Sequence, residues 1–409
     1  MAQTGRPKGA TPFPLLAVIL KGAVLAAPLF FAGAASAMQQ GPQIPEHFQK
    51  TAFDHVEGWK QDNQLAALKG FLRFCKRSHV MDGGPELLRA TSDELKSLCE
   101  VARGKALETD SSARHFFETH FTPYRINEKG FVTGYFEPEV AASRKKTEDY
   151  SVPLHKKPAG LEAATATNRP IDWPSHLSHG RRVNGTLQEL PDRGAIMDGA
   201  LDKENLELVW LADPVDAFFI HVQGSARLRL TDGSTMRVGY AGKTGHPYTG
   251  IGRLLVKRGE GSPEDFTMSG LRAWLTKNHE KRDALFKENR SYIFFREVHE
   301  AKPEDGPVGA ANHSLVSGRS LAVDPSHFPY GALIFVSAGF QDPEAADQSF
   351  ARLMVSDDTG SAIRGPARGD IFTGSGNRAG QIAGDIRHQA DFVVLVPNSR
   401  LAKAGAAVD

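Results

Sequence analysis

Between residues 52 and 121 apolar side chains recur at helical spacing. Leu65, Leu68, Phe71 and Leu72 lead to Cys75, and Leu95, Leu98 and Ala102 share a face with Cys99, so two amphipathic helices are predicted. Thr91 and Glu94 stand at capping-box spacing before the second. Ser111 and Ser112 are the candidate N-caps of a third, which ends on Phe116, Phe117 and Phe121. The period then changes. Residues 130–140 read GFVTGYFEPEV, aromatic and β-branched between Gly and Pro, which predicts a strand entering a loop. Residues 141–205 are polar and proline-dotted and suggest short strands with surface loops. The apolar run 217–223 (AFFIHVQ) reads as a strand leading into 226–230, and Asp232-Gly233 before 235–241 signals a hairpin. Helices are expected over 251–257 and around Met268, Leu271, Trp274 and Leu275. Strand-like runs return at 292–296, 319–323, 332–336, 352–355, 370–373 and 391–396. Their Gly-rich connections suggest a small β-barrel, and the Ala-rich tail, 401–409, is expected to fray.

The first 37 residues read differently. Arg6, Lys8 and Lys21 precede an apolar run of 12 residues, Gly22 to Gly33, followed by Ala35-Ser36-Ala37. This is the pattern of a secretory signal cleaved before Met38, and the run is short of the roughly 20 residues a spanning helix needs. The remaining 372 residues carry 46 basic and 48 acidic side chains, so a nucleic-acid binder driven by phosphate neutralisation is disfavoured. Cys75 and Cys99 are the two cysteines, both on apolar faces. Two buried thiols and a bridge both suit that placement; export favours the bridge, which the chain-entropy account values at roughly 3.5 kcal/mol. Neither a CxxC nor an HExxH spacing occurs, so no metal site and no cofactor is expected.

Several motifs carry candidate chemistry. Gly374-Ser375-Gly376 with Ala379 imitates a dinucleotide fingerprint, but the 33 residues after Gly376 are too few for the βαβ units it requires. No GxSxG elbow occurs. Asp358 and Asp370 each stand at a boundary between loop and strand, and Asp324 precedes Pro325 in a third such position. Singly, each reads as a turn-capping Asx residue. Together they offer a general acid: Ile371 and Phe372 would partly desolvate Asp370, and a neighbouring carboxylate would raise its proton affinity further. Tyr135 and Glu137, between Gly134 and Pro138, suit either an exposed sugar-binding strand end or a core aromatic beside a solvated acid. Gln223, Gly224 and Ser225 offer an amide at the end of the apolar run, and Lys243 and His246 lie in a Gly-flanked loop.

These segments, in this order, resemble the membrane-bound lytic murein transglycosylase A family with its C-terminal three-aspartate domain. The matching stretches are GYFEP at 134–138, VQGS at 222–225, YAGKTGHPY at 240–248, GRS at 318–320, DTGSAI at 358–363 and GDI at 369–371. The resemblance implies a mainly β fold: a double-psi β-barrel domain (38–139 and 246–400, with the helical layer) and a smaller inserted β domain at 140–245, separated by a glycan groove. It implies cleavage of the β-1,4 bond between N-acetylmuramic acid and N-acetylglucosamine, leaving a 1,6-anhydromuramic end. Asp370 matches the catalytic aspartate, and Asp358 and Asp324 match the supporting pair. Tyr135, Glu137, Gln223, Gly224, Ser225, Lys243 and His246 would position the sugar. The implied partner is the peptidoglycan strand in the periplasm, with a loose association with the outer membrane or a wall-synthesis complex. Ser361 stands where a second glycine is usual, and no lipobox cysteine is present. A two-carboxylate glycosidase using water and a non-catalytic wall-binding protein are the alternative readings.

Overall fold

A computed structural model describes residues 41–405 apart from 78–80, 105–106 and 300–304. The signal at 1–37 and the cleavage point before Met38 lie outside the described residues. In chain order the elements begin with β1 (Phe48–Lys50), α1 (Gln64–Arg77), α2 (Ser92–Ala102), α3 (Asp110–His120), β2 (Phe121–Ile126) and β3 (Gly130–Glu137). Next come β4 (Glu139–Ser143), β5 (Val152–His155), β6 (Leu161–Ala163), β7 (His179–Val183), β8 (Thr186–Gln188), α4 (Arg193–Met197) and β9 (Glu207–Leu211). They continue through α5 (Pro214–Gln223), β10 (Ser225–Leu230), β11 (Thr235–Lys243), α6 (Ile251–Lys257), α7 (Met268–Lys277), α8 (His279–Glu288) and β12 (Ile293–Glu297). The last are β13 (Ser320–Val323), β14 (Leu333–Asp342), β15 (Ala345–Thr359), β16 (Arg368–Ser375), α9 (Gly376–Asp385), β17 (Arg387–Pro397) and α10 (Asn398–Lys403).

Six strands close into a barrel in the order β3-β17-β14-β15-β13-β16, with β16 returning to β3. Two of its pairs, β13 with β15 and β16 with β3, are parallel. Its core holds Phe335, Leu353, Val394, Leu321 and Ile371. The predicted helical layer packs on this core through Phe71, Phe74, Phe117 and both cysteines. Cys75 and Cys99 are bridged. Thr91 and Glu94 form the expected capping box, whereas α3 is capped by Thr109, with Ser112 answering as its N3 residue. The cap therefore sits earlier than Ser111, because the Thr109 hydroxyl has free amides three residues ahead of it. Buried Arg319 makes two hydrogen bonds to Asp62, at 2.8 and 3.0 Å, and so ties the segment before α1 to the start of β13.

A second sheet runs β12-β11-β10-β4-β9-β5 over a core of Val209, Leu228, Val238 and Phe295, and a third holds β6, β7 and β8. The hairpin at Asp232-Gly233 is present as β10–β11. The expected return to the barrel at 246 differs from the topology: β12 pairs with β11, so this sheet extends to Glu297. Helices α5 to α8 supply Phe218, Leu255, Leu275 and Phe286 to a further apolar cluster. The run expected as a strand at 217–223 is the helix α5, capped by Asp213, started by Pro214 and ended by left-handed Gly224. The tail does not fray at 401: Leu401 is fully buried, and Arg400 pairs with Glu86 and Glu94.

Candidate active site

Strand register brings the two leading carboxylates together. Asp370 on β16 has Thr133 of β3 on one side and Ala322 of β13 on the other. Ala322 in turn has Asp358 of β15 as its other neighbour. Two carboxylates thus flank one alanine, with backbones two strand spacings, about 10 Å, apart. Alternation along the strands puts Thr133 and Tyr135 on the face of Asp370 and Phe372. Tyr135 packs against Phe372 with ring centres 5.3 Å apart, and Leu315 and Ala322 complete a small apolar floor. Ile371 points the other way, into the barrel core. Gly134 is required here by close approach: a Cβ on it would lie 2.7 Å from the Ala383 Cα of α9.

The hydrogen bonds around Asp370 have a fixed sense. The Thr133 hydroxyl accepts from the Arg368 guanidinium at 2.6 Å and lies 2.5 Å from Asp370 Oδ1. A guanidinium only donates, so the Thr133 proton is directed at the carboxyl group. Burial pushes the Asp370 pKa up to about 6, against the pull of Arg368 and Thr133 and with a smaller push from Asp358. Asp358 is also raised by burial, while Tyr135 Oη, which donates at 2.7 Å, and the Ala310 N–H, at 3.0 Å, moderate the rise. Adjacent Asp357 is 2% exposed and held far above the carboxylate range by burial; the Ser320 hydroxyl donates to it at 2.6 Å.

The other expected residues divide clearly. Asp324 is a turn residue: its carboxylate accepts from the Ser326 N–H and hydroxyl and from the Gly365 N–H. These bonds outweigh burial and hold it below the usual carboxylate range. Tyr135 is buried rather than an exposed stacking platform, and serves Asp358. Glu137 is neither exposed nor solvated. It is fully buried, with Oε1 2.8 Å from Arg237 Nε and Oε2 accepting from Ser375 Oγ at 2.6 Å. Gln223 Oε1 accepts the Phe136 N–H at 3.0 Å, Gly224 is the left-handed cap of α5, and Ser225 is buried at the start of β10. Lys243 Nζ reaches Ser361 Oγ at 3.2 Å, across from the inserted sheet to the loop after Asp358. His246 is buried against the Leu190 carbonyl at 2.8 Å.

Thr133, Arg368 and Asp357 escaped the reading of the sequence. For Thr133 a signal existed: it shares strand parity with Tyr135 in 130–137, while its partner lies 237 residues away. Tyr248, inside the GKTGHPY segment, also borders the site: burial pushes its hydroxyl up, and Asp370 is among the charges that reach it. A cleft of about 1120 Å³ lies elsewhere, along Gly130, Arg125 and Gln389, and contains none of the expected site residues. Two of its acids, Asp62 and Asp342, already pair with Arg319 and Arg352. Among the described residues no group of His, Cys, Asp or Glu is arranged to hold a metal ion, and no helix is long and apolar enough to cross a membrane.

Residues 131–296 match the family model of the MltA specific insert domain, a range wider at both ends than the expected 140–245, and residues 319–396 match the 3D domain. The membrane-bound lytic murein transglycosylase A of Escherichia coli (strain K12) is 32% identical over 270 residues. That match spans 64% of this chain and 64% of the relative's length. The crystal structure of a membrane-bound lytic murein transglycosylase from Agrobacterium tumefaciens is similar with a TM-score of 0.79 at 39% identity, covering 87% of this chain and 99% of that one. MltA from Neisseria gonorrhoeae gives 0.67 at 28% identity, covering 88% and 95%. With both domain models matched in order and a structural relative covered almost end to end, the chain belongs to the membrane-bound lytic murein transglycosylase A family.

Proposed function

We propose that the chain is a lytic transglycosylase that cleaves the β-1,4 bond between N-acetylmuramic acid and N-acetylglucosamine in peptidoglycan. Asp370 is its catalytic residue. The protonated carboxyl gives its proton to the departing glycosidic oxygen, and the resulting carboxylate takes the proton of the muramyl C6 hydroxyl as O6 attacks C1. One bond breaks, one forms, and the proton is returned, so neither water nor an enzyme nucleophile is consumed. Intramolecular attack supplies the proximity that a bound water lacks. The carrying observation is the state of Asp370: a pKa of about 6 leaves it able both to give and to retrieve a proton near neutrality. Asp358 already accepts from Tyr135 and the Ala310 N–H, which suits a positioning residue better than the second carboxylate a hydrolase needs. Asp324, with its turn bonds, supports the loop that carries Arg364 and Gly365.

The barrel is proposed to have the double-psi topology, and the groove between it and the inserted sheet to take the glycan. The Cys75–Cys99 bridge supports export to an oxidising compartment. Mass spectrometry of digested murein tests the activity: anhydro ends are expected, lighter than hydrolytic ends by one water. Asp370→Asn should lower the rate at least about a hundredfold with glycan binding retained. Reducing muramic ends would instead assign the two-carboxylate glycosidase, and intact murein with retained binding would assign a wall-binding protein.

A further inference from the structure

A notch beside the proposed catalytic face carries a concentration of positive charge whose one acidic partner among the described residues is Asp324, against Arg364. Its first wall is the 242–245 loop, which ends β11. Ser178 donates its backbone N–H to the Gly245 carbonyl at 3.1 Å, so this loop is stitched to the strand that bears His179. A Cβ on Gly242 would lie 2.6 Å from the Leu161 side chain and 3.6 Å from the Lys157 stem, which fixes Lys157 against the same loop. The second wall is the turn after Asp358, where Ser361 accepts from Lys243 Nζ at 3.2 Å. Arg364, in the same turn, is paired with Asp324 only at 3.6 Å, and that carboxylate is committed to Ser326 and Gly365.

Lys157, Lys243, His179 and Arg364 therefore converge from four segments. Among the described residues neither Lys157 nor Lys243 has a carboxylate within ion-pairing distance. The convergence is costly to the protein. Burial and then the two lysines push His179 down to about 4, and burial and then Arg364 lower Lys243. A half-buried ammonium that answers only to a neutral hydroxyl, beside other cations, is stabilised by any anion that enters.

We propose that this notch is a carboxylate subsite that reads the lactyl arm of the muramic acid residue, with Lys243 as the central cation and Lys157 and Arg364 as its flanks. This rests on the transglycosylase reading and adds to it a preference for muramyl strands over uncharged chitin-type chains. The carboxylate has two sources. On a peptide-bearing strand the lactyl carboxyl is consumed in an amide, and the anion belongs to the stem peptide. On a denuded strand the lactyl carboxylate itself is free.

The experiment measures equilibrium binding to full-length Asp370→Asn protein of three probes of equal sugar length: a peptide-bearing muroglycan, its amidase-stripped form, and a chitooligosaccharide. Both muroglycans, or one of them, should bind about tenfold more tightly than the chitooligosaccharide, as expected for a charge-assisted contact. The one that binds more tightly identifies the source. Lys243→Gln, added to Asp370→Asn, should remove this difference, while Lys243→Arg should retain most of it. The advantage should also shrink as salt rises. Equal binding of all three probes, or an advantage that survives Lys243→Gln together with Lys157→Gln, would overturn the carboxylate subsite while leaving the catalytic reading intact. Failure of all three probes to bind would count against both.

Discussion

Thr133→Val is the most informative single change, because it removes the hydroxyl that links Arg368 to Asp370 and almost no volume. The Thr133 proton is directed at Asp370 Oδ1 from 2.5 Å by the Arg368 donor behind it. A hydrogen bond to a charged group contributes about 1.5–3 kcal/mol. At about 1.36 kcal/mol per pKa unit this corresponds to one to two units, and because Asp370 is only half-buried, water recovers part of it, leaving about one unit. The sign follows from the form stabilised. Valine withdraws a donor from the carboxylate, so the acid becomes weaker and its pKa rises from about 6. A general acid is active when protonated, so the alkaline limb of kcat/KM should move upward by about one pH unit on a soluble muropeptide. The rate on the acid plateau should fall, on the order of threefold, because a weaker acid protonates the leaving oxygen less well. At about pH 8 the variant should match or exceed the parent. Thr133→Ser, which retains the donor, should keep the parental limb. A limb that stays in place in Thr133→Val, or moves downward, would refute both the hydrogen-bond assignment and the role of Asp370 as the titrating acid.

Asp370→Asn should also be more stable than the parent at alkaline pH. The folded pKa is raised from the ordinary 3.8 to about 6, so the charged form is disfavoured and its cost accrues as pH rises through that window. A gain of about 1–2 kcal/mol at pH 8 that disappears near pH 3.5 is expected in urea melts; equal stability at both pH values would contradict the burial of Asp370. Glu137→Gln leaves the Arg237 charge buried without its carboxylate, and should cost about 3–5 kcal/mol by the same assay. A loss below about 1 kcal/mol would mean that water reaches this junction.

Periodic elements were legible and non-local pairings were not. The 3.6-residue pattern located α6 over Ile251–Lys257, and Thr91 with Glu94 marked the start of α2. The misread 217–223 run shows why periodicity has limits. Val215, Ala217, Phe218, Phe219, Ile220 and His221 are all buried, so this helix has no polar stripe to reveal its period. Its boundary residues carried the information instead: Asp213 and Pro214 before it, Gly224 after it. At the site, Asp370 and Asp358 could be singled out by their loop-to-strand positions. The alanine that spaces them comes from β13, and the burial of Glu137 depends on Arg237, 100 residues further on. Such partners become neighbours only through the register of a closed sheet.

That closure separates two properties that a smaller protein would have to trade against each other. The hydrogen-bond ladder runs all the way round β3, β17, β14, β15, β13 and β16, so the spacing of Thr133, Asp370 and Asp358 is set by a ring with no free edge to slip. The cations of the neighbouring notch sit mostly on segments outside that ring, in the β5–β6 connection, β7 and the end of β11. Drift in those outer segments can retune which polymer is held while the acid keeps its strength. Reactivity and taste can therefore be inherited independently, and a chimaera that exchanges residues 139–297 with those of a relative should change its diet before it changes its pH optimum.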